Sequence, residues 1–209
     1  MIAGPPSEGV TQRLILIRHG EPDESLRGRC YGRIDADLSP RGRSQLTQTS
    51  RSIHTPLAAV YSSPRRRALQ SAAIVAAGRT RVTVHDDLRE LDFGRLEGLT
   101  YAAIAAQYPS LFSAWMTAPT AVAFPDGERF GEMASRVRAA IVSIRSNHPS
   151  GSIAIVSHGG VNRIALAEAI GLPLDCIFRI DQGYGCMNVV DYYGDTPLAR
   201  LINAVPVAC

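Results

Sequence analysis

Short runs of apolar residues alternate along the chain with longer stretches in which apolar residues recur every three or four positions. The runs at 14–17, 58–61 and 153–156 predict buried strands, and 81–85 predicts another short strand. Helical spacing predicts helices from Pro40 to about residue 53, after Pro64 to about residue 77, and over 130–145 and 161–170. Residues 185–191 and 199–203 predict two closing strands, joined as a hairpin around 194–195.

Strands that alternate with helices are typical of an α/β fold. We therefore expect a three-layer α/β/α architecture with a mainly parallel sheet. Residues 1–12, rich in Gly, Pro and Ser, predict a flexible tail, and 13–209 predict a single domain. Within it, residues from about 98 to 127 contain several prolines and Trp115 and predict a small helical insertion that caps the core.

Composition excludes several classes of function. The formal net charge of +3 is scattered, so a nucleic-acid partner is not expected. No apolar run approaches the length of a membrane span, and the N-terminus lacks a signal-peptide pattern, so we expect a cytoplasmic protein. All 22 basic residues are arginine, which rules out a Walker A lysine and a lysine Schiff base. The four cysteines form no CxxC pair. We expect neither a metal site nor another cofactor.

Polar clusters follow the ends of three predicted strands. They are Arg18-His19, Ser62-Ser63 and Ser157-His158, and a run of three arginines, 65–67, comes soon after the second. In open α/β sheets, ligands bind beyond the carboxyl ends of the strands. We therefore expect the three clusters to share one site.

These clusters contain the residue types that phosphoryl transfer needs. Arginine binds phosphate oxygens in pairs and stays charged, so Arg18 and one of 65–67 are candidate phosphate ligands. A neutral His19 can attack phosphorus, and Glu90 is a candidate proton donor to the leaving oxygen. Taken singly, each of these residues also has an ordinary structural explanation. His19 could be a structural histidine, the arginines at 65–67 could form a solvated helix start, and Glu90 could pair with a neighbouring arginine.

Together, the motifs resemble those of the histidine phosphatase superfamily, in the branch that includes phosphoglycerate mutase. The resemblance spans about 14–203 and includes Arg18-His19-Gly20-Glu21, the segments 37–42, 62–72 and 90–98, and Ser157-His158-Gly159-Gly160. It implies that His19 becomes phosphohistidine and that Glu90 protonates the leaving oxygen and then activates water. It assigns the phosphoryl oxygens to Arg18, Arg67, His158 and the backbone N–H of Gly159. Where the family often has Asn, this chain has Ser25, whose hydroxyl is expected to donate one hydrogen bond to phosphate.

The resemblance favours a metal-independent phosphomonoesterase that acts on a small-molecule phosphomonoester. A mutase-type phosphoryl transfer is the alternative, and we rank it lower because residues 99–125 contain no Arg, Lys or His to bind a substrate carboxylate. A non-catalytic binding module of the same fold is the second alternative. The resemblance disfavours this second alternative, because superfamily members that have lost catalysis usually lack His19, Arg67 or His158, and all three are present in this chain.

Segments 126–130, 135–137 and 178–183 resemble α-ribazole phosphatases, so α-ribazole 5′-phosphate, an intermediate of cobalamin synthesis, is a candidate substrate. The aromatic residues of the insertion would suit its flat base, or would pack the insertion onto the core; they are Tyr101, Tyr108, Phe112, Trp115 and Phe124. The sequence leaves the oligomeric state open, with a homodimer as one alternative.

Overall fold

The computed structural model describes residues 4–205. Its strands are β1 (Gln12–Arg18), β2 (Leu57–Ser62), β3 (Val82–Val84), β4 (Gly151–Ser157), β5 (Met187–Tyr193) and β6 (Thr196–Ala204). Its helices are α1 (Pro40–Arg51), α2 (Arg66–Ala76), α3 (Tyr101–Gln107), α4 (Pro109–Thr117), α5 (Phe130–Ser146) and α6 (Gly159–Ile170). The periodicity therefore located these elements to within a few residues, except α3 and α4, for which the sequence predicted only a helical insertion over about 98–127.

The two chain ends fall partly outside this description. Residues 1–3 of the predicted tail, and 206–209 with Cys209, lie outside the described residues. Strand β1 begins at Gln12, so the last residue of the predicted tail is part of the sheet. Of the helices within 4–205, none combines the length and the apolar character needed to cross a lipid bilayer.

The six strands form one sheet in the order β3-β2-β4-β1-β5-β6. The first four are parallel to one another, whereas β5 and β6 form an antiparallel hairpin that pairs with β1 through β5. The predicted α/β fold with a mainly parallel sheet is confirmed. Register places Arg18 of β1 beside Ser157 of β4, so the next residues of the two strands, His19 and His158, leave the sheet side by side.

Both faces of the sheet are covered, because the side chains of a strand alternate between its two faces. Leu14 and Leu16 of β1 belong to the core cluster formed with α5 and α6. Ile15 and Ile17 belong to the cluster formed with α1 and α2. Continuous apolar strands therefore fit a sheet buried on both faces, as the sequence predicted.

The segment predicted as an insertion contains α3, α4 and a short 3-10 turn, Pro119–Ala121. Trp115 of α4 is buried and packs edge-on against Phe124 and at a tilt against Phe93, with ring centroids 5.2 and 5.5 Å away. These aromatic contacts attach the helical segment to the same core cluster as α5 and α6.

A buried charge network joins the antiparallel part of the sheet. The carboxylate of Asp191 in β5 accepts hydrogen bonds from Nε and Nη2 of Arg13 in β1 at 2.6 and 2.8 Å, and from Nε of Arg200 in β6 at 3.1 Å. Burial opposes the ionisation of Asp191, but the hydrogen bonds and charges of the two arginines outweigh it and lower the pKa of the carboxyl. The network therefore stabilises the fold only while Asp191 is ionised.

We predict that Asp191→Asn lowers the free energy of unfolding by about 3–5 kcal/mol at pH 7, because it leaves the buried guanidinium of Arg13 without its counter-ion. Since the pKa of Asp191 is lower in the folded than in the unfolded chain, this contribution is complete above about pH 4 and declines as the pH falls through the folded-state value. Urea titrations at pH 7 and at pH 3 measure the difference. Asp195→Asn, at a fully exposed site in the same hairpin, is the control and should change stability by less than about 0.5 kcal/mol. Equal stability of the two variants at pH 7 would contradict the role of the network.

Candidate active site

The ends of β1, β2 and β4 bring the three predicted polar clusters to one place. The backbone N–H of His19 donates to Ser157 O at 2.9 Å, and that of Ser63 donates to Val156 O at 3.1 Å, so the sheet ladder continues into the loops. The rings of His19 and His158 lie with their centroids 5.1 Å apart. As expected from the parallel register, both histidines line one cleft.

Hydrogen bonding fixes the ring of His19. Its Nδ1 donates to Gly20 O at 2.7 Å, which leaves Nε2 with a lone pair and no hydrogen-bond partner among the described residues. Burial, with the charges of Arg67 and Arg18, lowers the pKa of His19 well below its ordinary value. The ring is therefore neutral near pH 7, the state in which an imidazole nitrogen is a nucleophile.

The sequence after His19 explains why the loop turns in that direction. A β-carbon on Gly20 would overlap the carbonyl of Gly42 in α1, so only glycine allows this close approach. The N-cap of α1 is Ser39, whose Oγ accepts from Gly42 N at 3.0 Å. Gln45, one turn on, accepts from Glu21 N through its side chain at 2.9 Å. The motif at 37–42 thus packs beneath the histidine loop.

One arginine of the predicted run reaches the cleft. Arg67 has an exposed fraction of 0%, and it donates from Nη1 to Ile34 O at 2.8 Å and from Nη2 to the carbonyls of Gly32 and Tyr31 at 3.2 and 3.3 Å. Arg66, in contrast, is exposed and pairs with Asp37. Arg65 occupies the N-cap of α2 and does not line the cleft. The assignment to Arg67 that the resemblance implied agrees with this placement.

The 31–34 loop that holds Arg67 depends on a carboxylate that the sequence did not single out. Glu97 accepts hydrogen bonds from the backbone N–H groups of Gly32, Arg33 and Ile34 at 2.8–3.2 Å. It also accepts from Phe93 N at 3.2 Å. Only its position, seven residues after Glu90 in the same motif, pointed to it.

Arg18 is the second cation of the cleft. Its Nη1 donates to Gln182 O, and its guanidinium lies over the ring of Tyr184, 4.1 Å from the centroid. The amide of Gln182 is itself held by Asn162 and Asn188. The 181–183 stretch therefore positions Arg18, a role that sequence reasoning missed.

Neither cleft arginine has a carboxylate partner. Within residues 4–205, no Asp or Glu oxygen lies within ion-pair distance of Arg18 or Arg67. Nε of each is buried and has no hydrogen-bond partner there. Unpaired buried charge of this kind suits an anionic ligand, since buried polar groups otherwise carry a large desolvation cost.

His158 is oriented by Ser63. The hydroxyl of Ser63 accepts from Arg65 N at 3.3 Å and lies 2.7 Å from Nε2 of His158. When that hydroxyl donates to Nε2, the ring proton is on Nδ1, which is buried and has no partner among the described residues. Burial and the charge of Arg67 lower the pKa of His158 well below its ordinary value. A neutral ring with an unused N–H can donate to a phosphoryl oxygen.

Glu90 lies at the edge of the same cleft. Its Oε2 accepts from Gly160 N at 3.1 Å, and Oε1 accepts from Leu91 N at 3.0 Å. A β-carbon on Gly160 would overlap Oε1, so glycine is required for this approach. Arg136 of α5 donates to the carbonyl of Glu90 at 3.2 Å and thereby fixes the segment.

Two predicted phosphate ligands have different surroundings. Gly159 is the first residue of α6, is buried and lines the cleft, so the N-terminus of this helix faces the site. Ser25 is exposed, its backbone N–H donates to Asp23, and it does not line the cleft. The structure thus brings together five of the predicted side chains with Gly159 and leaves Ser25 apart; the five are Arg18, His19, Arg67, Glu90 and His158.

The chain is similar over most of its length to several named phosphatases. The chain is 30% identical over 194 residues to the putative phosphoserine phosphatase 2 of Hydrogenobacter thermophilus, covering 92% of this chain and 95% of that protein. It is 32% identical over 199 residues to the metal-independent phosphoserine phosphatase of Arabidopsis thaliana, covering 90% and 83%. Among solved structures, the putative alpha-ribazole-5′-P phosphatase of Escherichia coli has a TM-score of 0.82 at 26% identity, covering 95% of this chain and 99% of that one.

Other relatives are longer than this chain, so the match covers only part of their length. The chain spans 55% of the length of mycobacterial relatives to which it is 31% identical. The family model described as histidine phosphatase superfamily (branch 1) matches residues 14–205, which includes every residue of the cleft described above. The chain therefore belongs to the histidine phosphatase superfamily, branch 1.

Proposed function

We propose that the protein is a phosphomonoesterase that works through a phosphohistidine at His19. The observation that carries the proposal is a neutral imidazole with an unused Nε2, beside two buried guanidinium groups that have no counter-ion among residues 4–205. A phosphate monoester supplies the missing negative charge and the atom to be attacked. Phosphatases among the named relatives support hydrolysis as the reaction.

In the first half-reaction, Nε2 of His19 attacks phosphorus, and a P–N bond forms as the P–O bond to the alcohol breaks. The leaving oxygen keeps the electron pair of that bond and takes a proton from the carboxyl of Glu90. Negative charge on the three remaining oxygens is stabilised by Arg18, Arg67, His158 and the N–H of Gly159. Ser25 is left out of this set because its exposed position places it away from the cleft.

In the second half-reaction, the carboxylate of Glu90 accepts a proton from water as the water oxygen attacks phosphorus. The P–N bond breaks, its electron pair returns to Nε2 of His19, and inorganic phosphate leaves. The hydrogen bonds from Gly160 and Leu91 hold the Glu90 carboxyl at the cleft for both steps.

Metal independence is part of the proposal. Arg18 and Arg67 place two permanent positive charges where Mg²⁺ would otherwise balance the phosphoryl group. The name of the Arabidopsis relative, a metal-independent phosphatase, supports the same conclusion.

The mutase alternative is weighed differently once the cleft is known. The insertion lacks basic residues, as the sequence indicated, but Arg29 and Arg163 reach the cleft from outside it. Basic side chains from outside 99–125 are thus available to a substrate carboxylate, so their absence from the insertion does not by itself exclude a mutase. The choice of hydrolysis rests instead on the phosphatase names of relatives that match most of the chain.

α-Ribazole 5′-phosphate is the substrate candidate that the aromatic wall of the cleft favours. Tyr101, Trp115 and Phe178 line the cleft, whereas Phe124 is buried beneath it. The E. coli neighbour described as a putative alpha-ribazole-5′-P phosphatase supports the candidate.

Stacking of the base predicts a kcat/KM for α-ribazole 5′-phosphate at least about tenfold above that for ribose 5-phosphate, which lacks the base. Equal kcat/KM values for the two substrates would show that the enzyme does not recognise the base.

We predict that His19→Ala lowers hydrolysis of p-nitrophenyl phosphate by at least about 10³-fold, because it removes the nitrogen that attacks phosphorus. The wild type should retain its rate in EDTA and, quenched during turnover, should carry an acid-labile phosphate that the variant lacks. His54→Ala, at an exposed histidine remote from the cleft, is the matched control. A His19→Ala variant that stays active, or a wild-type rate that is lost in EDTA, would contradict the mechanism.

Fast interconversion of 3- and 2-phosphoglycerate by the wild type would favour the mutase alternative.

We predict that Glu90→Gln slows an alkyl phosphate far more than p-nitrophenyl phosphate, since only the alkoxide needs a proton as it leaves. The expected losses in kcat/KM are about 10²–10⁴-fold for glycerol phosphate and about tenfold or less for p-nitrophenyl phosphate. kcat/KM is the right measure because it reports steps only up to the first irreversible one. Glu24→Gln, at an exposed glutamate, is the control. Equal slowing of both substrates would argue against a proton-donor role.

A further inference from the structure

Two tyrosine rings flank His19 and have no part in the proposed chemical steps. The ring centroids of Tyr31 and Tyr184 lie 6.2 and 5.8 Å from that of His19. Their hydroxyl oxygens are 2.7 Å apart, and within residues 4–205 neither hydroxyl makes another hydrogen bond. The two residues therefore form a hydrogen-bonded tyrosine pair beside the proposed nucleophile.

Each ring of the tyrosine pair faces one guanidinium group of the cleft. The guanidinium carbon of Arg18 lies 4.1 Å from the ring centroid of Tyr184. That of Arg67 lies 4.9 Å from the ring centroid of Tyr31. Both distances are within the range of a cation–π contact. The two cations are therefore connected through the two rings, with the hydroxyl–hydroxyl bond at the centre of the connection.

The loops that carry the tyrosine pair also hold the two arginines through backbone carbonyls. Nη2 of Arg67 donates to the carbonyl of Tyr31 itself at 3.3 Å. Nη1 of Arg18 donates to the carbonyl of Gln182, two residues before Tyr184. Each arginine thus contacts one loop twice, and the tyrosine pair joins the two loops across the site.

This connection fixes two like charges without neutralising them. Arg18 and Arg67 both lie close enough to His19 to lower its pKa, and they repel each other while no anion is bound. A carboxylate between them would fix their positions but would also cancel the charge that a phosphoryl group needs. The face of an aromatic ring attracts a cation and has no net charge. Burial raises the pKa of Tyr31, so its hydroxyl stays neutral near pH 7.

We propose that the tyrosine pair positions Arg18 and Arg67 for the transition state of phosphoryl transfer, and that Tyr31 and Tyr184 act as one unit. The hydroxyl–hydroxyl bond holds the rings, and the rings hold the guanidinium groups at the spacing that the phosphoryl oxygens require. Both tyrosines are positioning residues, because they act through the arginines. This inference rests on the proposed function, since it takes the phosphoryl group as the ligand of the two arginines.

The first test is a double-mutant cycle on the two hydroxyl groups. Tyr31→Phe and Tyr184→Phe each keep the ring and remove the bond. We expect each to lower kcat/KM for p-nitrophenyl phosphate by about three- to tenfold, the range of one neutral hydrogen bond. The double variant should lose no more than either single variant, because the bond is already absent from both.

Two further variants complete the cycle. Tyr184→Leu, which also removes the ring that faces Arg18, should lose at least about threefold more than Tyr184→Phe. Tyr193→Phe is the matched control, because Tyr193 does not line the cleft and its hydroxyl accepts from Arg200. It should keep kcat/KM within about twofold of the wild type. Thermal melting verifies that every variant is folded.

Inhibition separates positioning from a purely structural role. Orthovanadate can adopt the five-coordinate geometry of the transition state, so its Ki should rise in each variant by the factor that kcat/KM loses. Inorganic phosphate resembles the bound ground state, so its Ki should rise by a smaller factor. A purely structural role would lower the melting temperature without this difference between the two inhibitors.

Losses that multiply in the double variant, no loss in either single variant, or equal weakening of the two inhibitors would overturn the assignment. If the wild type hydrolyses no phosphomonoester, the proposed function fails, and calorimetric titration with orthovanadate still decides on the tyrosine pair. Equal losses of affinity in the single and double variants would then support it. Multiplied or absent losses, or a wild type that does not bind orthovanadate, would overturn it.

Discussion

A permanently charged side chain without a counter-ion is the constraint around which the site is built. Arg67 is fully buried, and its charge is stabilised by the carbonyl oxygens of Tyr31, Gly32 and Ile34 in place of a carboxylate. Those carbonyls point inward because Glu97 holds the N–H groups of the same loop. Carbonyl dipoles stabilise a cation without neutralising it, so the site retains a net positive charge that an anion can bind.

The same charge sets the state of the histidines. With burial, it lowers the pKa of both His19 and His158, so the two rings are neutral when the site is empty. Arg18 and Arg67 therefore have two effects: they bind the phosphoryl group, and they keep the attacking nitrogen of His19 unprotonated. A carboxylate placed beside Arg67 would weaken both effects at once.

Much of this arrangement could be predicted from the chain alone. Apolar runs located the strands, and a mainly parallel sheet predicted that His19 and His158 lie at the same edge. That β1 and β4 are adjacent, which makes the two histidines neighbours, is seen only in the structure. Side-chain direction could not be predicted, because it depends on which face of α2 or α6 packs on the sheet. Arg67 is therefore distinguished from its two neighbours only by tertiary structure or by resemblance, and Arg163 gave no local signal. For Ser25, the spacing from His19 predicted a place at the phosphate, but the residue lies at the surface. Motif spacing alone therefore does not determine whether a side chain reaches the site.

The pairing of β1 with β4 has a consequence for when the site exists. Arg18 and Ser157 are neighbours in the sheet but are separated by most of the chain, and their strands are the two central ones. During synthesis, a nascent chain that ends before β4 contains His19 and Arg67 but cannot bring His158 beside them. In the finished protein, separating β1 from β4 disrupts the core on both faces of the sheet. Catalytic competence is therefore tied to the cooperative folding of the whole domain, and a truncated or partly unfolded chain presents only scattered arginines and a solvated histidine.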